Sequence, residues 1–128
     1  MIRAYFDSSA ILKLSKSEPE SLALVDYLEN AAVEVSTSVL AEVEVTRNLR
    51  RYQLDSEHAI TGFYMLALDD EVRRKAVEVG GAMLRSLDAI HVATALAIGD
   101  RDVQFVTYDD RQADAARAAG LKVVQPGR

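Results

Sequence analysis

Ile2-Arg3-Ala4-Tyr5-Phe6-Asp7-Ser8-Ser9 opens the chain with five residues of strand composition, then an acid, then two serines able to cap a helix. Aromatic and apolar side chains suit a pleated, buried strand, and a small polar residue after them starts a helix. Val103-Gln104-Phe105-Val106-Thr107 repeats the pattern, running through Tyr108 to Asp109 before a helical stretch from Asp110 to Ala119 that Gly120 closes. Strands that lead straight into helices return through crossovers, so the expected fold is α/β with a parallel sheet and helices on both faces.

The intervening chain supplies the remaining elements. Ser17-Glu18-Pro19-Glu20 reads as the capped start of a helix reaching about Glu29, and Ala32-Val33-Glu34-Val35-Ser36 as a short strand. Thr37 or Ser38 opens a long helical pattern through Arg51, and Asp55-Ser56-Glu57 is expected to cap another helix. Tyr64-Met65-Leu66-Ala67-Leu68 is a strand candidate, with Asp69 capping a helix from Asp70 to about Val79 that Gly80-Gly81 ends. Ser86 is expected to cap an alanine-rich helix from Leu87 to Ile98, and Leu121-Lys122-Val123-Val124 makes a last strand. Nothing resembles a linker or a repeat, so residues 1-128 are expected to form a single domain.

Composition narrows the chemistry. Zero cysteines exclude disulfides, thiolate metal sites and cysteine nucleophiles, leaving oxygen ligands, His58 and His91 for any metal. Oxygen ligands favour Mg²⁺ or Mn²⁺. The net charge of −5 argues against a protein that coats nucleic acid, yet an acidic active site that binds a divalent ion would account for part of it. No segment approaches the ~20 apolar residues of a membrane span, and Met1-Ile2-Arg3 enters a strand directly without a secretory leader, so no membrane association and a cytoplasmic location are expected.

Ligands of open parallel sheets bind beyond the carboxyl ends of the strands. Asp7 and Asp109 stand there by chain position, and Asp88, in the first turn of its helix, is placed to project towards the same crevice. Glu42 and Glu44 compete for a fourth place, because residues two apart on a helix point about 200° apart. Glu44 is the choice, with Arg47 three residues on expected to bring a guanidinium near the acids or a phosphate. Ser9 and Thr107 are candidates to hydrogen-bond the cluster, whereas His91, one turn past Asp88, reads as a packing residue. Four carboxylates in one pocket repel one another unless a cation sits among them, which points to metal-dependent phosphodiester hydrolysis. A phosphoaspartate site of the haloacid-dehalogenase type would want an acid two residues after Asp7, where Ser9 stands.

Tyr5-Phe6-Asp7-Ser8-Ser9-Ala10, Val43-Glu44-Val45-Thr46-Arg47, Leu87-Asp88-Ala89-Ile90-His91-Val92-Ala93-Thr94-Ala95 and Val106-Thr107-Tyr108-Asp109 together resemble the PIN-domain ribonucleases, and more narrowly the VapC-type toxins of toxin–antitoxin pairs. The likeness runs from Tyr5 to Pro126, with the four motifs in family order. It implies a three-layer α/β/α fold and an endoribonuclease using Mg²⁺ or Mn²⁺ at Asp7, Glu44, Asp88 and Asp109, with Asp109 able to act through water. It also implies a homodimer silenced by a small cognate antitoxin, often through an arginine facing the acids. The doubled acids Glu42/Glu44 and Asp109/Asp110 permit a shifted assignment, and a catalytically inactive PIN-like module that binds RNA or protein is the alternative.

Overall fold

The computed structural model describes residues 1–30 and 32–128. Five parallel strands, β1 (Ile2–Phe6), β2 (Val33–Ser38), β3 (Tyr64–Leu66), β4 (Gln104–Val106) and β5 (Lys122–Val124), lie in the order β3-β2-β1-β4-β5. The order reverses direction between β1 and β4, where Phe6 pairs with Val106. Connections leave that point towards opposite edges and open a crevice above it.

Side chains alternate across β1 and sort the core into two layers. Ala4 and Phe6 pack with Ala10 and Ile11 of α1 (Ser8–Ser15), Leu24 of α2 (Ser21–Asn30), and Ala41, Val45 and Leu49 of α3 (Val39–Arg51). Tyr5 and Phe105 face the other way, against Val92 and Ala95 of α5 (Ser86–Ala97) and Ala116 of α6 (Asp110–Ala118). The result is the expected α/β/α sandwich, with α4 (Asp70–Glu78) packed on α5. Gly80, at φ +72°, turns the chain out of α4, and a Cβ there would lie 2.6 Å from Leu84 Cδ2. Among the described residues no helix is long and apolar enough to cross a membrane.

Four helix starts differ from the sequence reading. α1 is capped by Asp7 rather than by Ser8 or Ser9, because the Asp7 carboxylate accepts from the Ala10 N–H. α2 begins at Ser21, not at Ser17: Ser21 Oγ accepts from the Glu18 N–H at 2.9 Å, while Lys13 Nζ draws Glu18 and Glu20 back onto α1 at 3.1 and 3.0 Å. Asp55 caps no helix; its carboxylate accepts from the Glu57 N–H in a local turn, and residues 57–62 continue as turns. Ser86 is the first residue of α5, preceded by Arg85 without a side-chain cap.

Candidate active site

Asp7 is both the last rung of β1 and the first step of α1. Its N–H donates to the Val106 carbonyl at 3.2 Å and its carbonyl accepts from the Ile11 N–H at 3.2 Å. The side chain is therefore fixed at the top of the β1–β4 pair, 1 % exposed. Burying a carboxylate is costly without partners. Here Oδ1 accepts from Ser9 Oγ at 2.6 Å and the Ala10 N–H at 3.0 Å, and Oδ2 accepts from Thr107 Oγ1 and from Gln112 Nε2 at 2.8 Å. Thr107 Oγ1 also accepts the Asp109 N–H at 3.1 Å, and Ser9 Oγ accepts the Tyr108 N–H at 2.9 Å. These two hydroxyls, singled out in the sequence, bolt the end of β4 to the Asp7 carboxylate.

Glu44 enters from the flank of α3. Ser8 Oγ donates to its Oε1 at 2.6 Å, and His91 Nε2 lies 2.7 Å from the same oxygen. Burial pushes this carboxyl towards the neutral form, but hydrogen bonds from His91 and Ser8, with the nearby positive charge of Arg85, bring it below the usual range. Glu42 and Asp110 are both exposed, and Asp110 pairs with Arg128 at 3.2 Å, so of each doublet only Glu44 and Asp109 line the crevice. Asp88 sits in the first turn of α5 with Arg85 Nε 3.3 Å from its Oδ2. Asp109 caps α6, accepting the Gln112 N–H at 3.1 Å.

All four acids line one cavity of about 130 Å³, together with Ser8, Ser9, Arg85, His91 and Gln112. Hollows of about 550 and 890 Å³ lie along α4, with apolar or mixed-charge linings that gather no comparable set of acids. Arg47 is not at the site: it is exposed, and the guanidinium expected from it is supplied by Arg85. The reason is helical phase. With Ala41, Val45 and Leu49 buried, and about 100° per residue, Glu44 stands on the flank of the buried stripe while Arg47 points almost directly away from it.

With Arg85, His91 and Gln112 are residues of the cavity that sequence reading misses. His91 reads as packing, yet its ring touches Glu44. Gln112 carries a signal, since Asp109-Asp110-Arg111-Gln112 has capping-box spacing, with Gln three residues after the cap. Thr107 takes the Asp109 N–H instead, which frees Gln112 to reach Asp7. Its Oε1 is buried with no hydrogen-bond partner among the described residues.

Among the described residues no three acid or imidazole side chains are gathered tightly enough to form a ready-made ion cage. The donors nonetheless fit a hard cation that keeps part of its water. They are carboxylates, the cavity has room for water beside an ion, and Gln112 Oε1, without a partner among the described residues, is an acceptor for a donor such as an ion-bound water.

Over residues 4–118 the sequence matches the family described as PIN domain. It is 41% identical over 130 residues to Ribonuclease VapC46 of Mycobacterium tuberculosis, covering 98% of this chain and 99% of that protein. Identity to Ribonuclease VapC35 of the same species is 37% over 131 residues, covering 97% of each. Among solved structures, Mycobacterium tuberculosis VapC20, described as a sarcin-ricin loop cleaving toxin, has a TM-score of 0.75 at 17% identity, covering 96% of this chain and 99% of that one. VapBC2 from Rickettsia felis, bound to a promoter DNA fragment, has a TM-score of 0.75 at 11% identity, covering 98% and 99%. At these identities the structural likeness speaks to the fold alone.

Proposed function

This chain belongs to the PIN-domain family, within its VapC group, and from that premise we propose that it is an endoribonuclease dependent on Mg²⁺ or Mn²⁺, the toxin of a toxin–antitoxin pair. The observation that carries this reading is the convergence of Asp7, Glu44, Asp88 and Asp109 on one cavity above the β1–β4 switch point. Related proteins named as ribonucleases cover nearly the whole chain, which supports RNA as the substrate.

When bound, a divalent ion supplies water activation, neutralisation of charge on the phosphate and help for the leaving oxygen. Asp7, Glu44 and Asp88 would hold it, directly or through water, and Asp109 would hold a second ion or orient the attacking water. Ser9 and Thr107 fix the direction of the Asp7 carboxylate. Gln112 closes the buried side of the site, with its Nε2 on Asp7 and its Oε1 free to accept.

A small cognate antitoxin would silence the enzyme. A basic antitoxin segment suits a chain of net charge −5 whose cavity is lined by acids. Val77, Met83 and Leu87 are exposed on α4 and around the start of α5, apolar surface that suits a second copy of the chain in a homodimer.

The test is cleavage of tRNA, ribosomal RNA and single-stranded DNA by purified protein in Mg²⁺, Mn²⁺ or EDTA, beside Asp7→Ala. Cutting of RNA that needs the ion and is lost in Asp7→Ala is the expected result. Absence of any cutting, with no heat of ion binding by calorimetry, would leave the inactive RNA- or protein-binding module instead.

A further inference from the structure

His91 is 2 % exposed, and both of its ring nitrogens have partners. Nδ1 lies 2.7 Å from Tyr5 Oη, and Nε2 lies 2.7 Å from Glu44 Oε1. Tyr5 itself is fully buried, stacked on Phe105 at 5.4 Å between ring centroids, and it meets the imidazole edge-on at 5.9 Å and 63°. Burial holds the Tyr5 phenol protonated far above its ordinary range. A phenol O–H donating to Nδ1 leaves the proton of a neutral imidazole on Nε2, where it donates to Glu44. Burial and the edge-on Tyr5 ring restrain the imidazole.

Ser8 Oγ donates to the same Glu44 oxygen, so both anchors fall on Oε1, and among the described residues no hydrogen bond reaches Oε2. A glutamate has three side-chain torsions, and an unanchored one on a helix flank would lose appreciable rotamer entropy on binding an ion. Two donors on one oxygen remove that freedom beforehand and leave the other oxygen for the cavity.

We propose that His91 is a positioning residue for the nuclease site, fixed by Tyr5 behind it, and that it holds Glu44 Oε1 so that Oε2 is presented to the divalent ion. The inference rests on the metal-dependent reading above. It is distinct from a purely structural role for a buried histidine, which would alter stability without altering ion affinity.

Calorimetric titration with Mn²⁺ separates the two, alongside thermal melts, for wild type, His91→Leu, His91→Gln, Tyr5→Phe, Glu44→Gln and the double variant Glu44→Gln with His91→Leu. His91→Leu is expected to weaken Mn²⁺ binding about 10-fold, within the range typical for residues that orient ligands. His91→Gln, which returns an N–H donor near the Nε2 position, is expected to recover most of that loss. Tyr5→Phe keeps the packing and is expected to weaken binding about threefold. In the Glu44→Gln background, His91→Leu should cause no further loss, since the group it positions is gone. Equal Mn²⁺ affinity in wild type and His91→Leu, with Glu44→Gln weakened, would overturn the role of His91 while leaving the nuclease reading standing. If His91→Leu fails to fold, Tyr5→Phe decides the matter: unchanged affinity there overturns the proposal. A wild type that neither binds Mn²⁺ nor cuts RNA would overturn both readings.

Discussion

Asp7, on the β1–β4 wall of the cavity, is buried and held by four donors, whereas Glu44 and Asp88, on the α3–α5 wall, are partly open and keep one oxygen each without a described partner. In the first wall a ladder bond and a helix cap pin the Asp7 main chain, and hydroxyls from the first turn of α1 and the end of β4, with the Gln112 amide, hold its carboxylate. The second is set by side-chain contacts on helices. A frame of this kind fixes one carboxylate as a reference point and leaves the opposite pair free to adjust.

Removing the charge from each wall tests that division most severely. Asp7→Asn and Asp88→Asn should each lower RNA cleavage by about 10³-fold, roughly 4 kcal/mol of lost transition-state stabilisation. Only Asp7→Asn should also destabilise the fold, by about 1–3 kcal/mol, because an amide NH₂ would face donors it cannot satisfy. Urea unfolding of both variants in EDTA measures the contrast. Equal losses of stability would abolish the distinction between a rigid and an adjustable wall.

Thr107→Val keeps the shape of the rigid wall and deletes its central hydroxyl. That removes one donor from Asp7 and leaves the Asp109 N–H without its acceptor. The expected cost is about 1–3 kcal/mol in unfolding free energy. A change below about 0.3 kcal/mol would show that Ser9, Gln112 and water hold the wall without Thr107.

The same division explains what can be read in the sequence. Asp7 and Asp109 are legible because each follows an apolar run and precedes a helix, a position that chain order alone puts at the mouth of a parallel sheet. Glu44 is legible as one of two choices on a helix face, and the burial of Ala41, Val45 and Leu49 then decides between them. Gln112, Arg85 and His91 are not legible, for different reasons. Gln112 has capping-box spacing, and nothing local says that Thr107 will fill the cap and release it. Arg85 precedes its helix, so its direction depends on how α5 packs. His91 becomes informative only once Tyr5 and Glu44, 86 and 47 residues away in the chain, are known to meet it. In place of the helix expected after Asp55, residues 57–62 form successive turns.

On the adjustable wall, Glu44 should give a pH signature. Burial raises its affinity for a proton, and the hydrogen bonds from His91 and Ser8, with Arg85 nearby, reverse that, so the folded protein holds this carboxyl below the usual range. A depressed carboxyl favours the folded state above its unfolded value, near ~4.3, and that contribution is lost as pH falls through the lower folded value. In EDTA, the stability advantage of wild type over Glu44→Gln should therefore shrink as the pH falls below about 4. An advantage that grows on acidification would mean that the carboxyl is held neutral by its surroundings.

The smallest effect concerns the cation on that wall. Arg85 Nε stands 3.3 Å from Asp88 Oδ2, with the arginine side chain largely in water. An exposed ion pair of this kind contributes under about 1 kcal/mol, yet its positive charge opposes a second cation beside the same carboxylate. Arg85→Ala should thus strengthen Mn²⁺ binding by about 2–5-fold. Arg47→Ala, on the solvent side of α3, should leave it within about twofold, because water and salt screen a charge held outside the cavity. Calorimetry at constant ionic strength distinguishes the two variants. Equal strengthening by both would return Arg47 to the neighbourhood of the acids and would mean that α3 is rotated about its axis relative to the phase that buries Ala41, Val45 and Leu49.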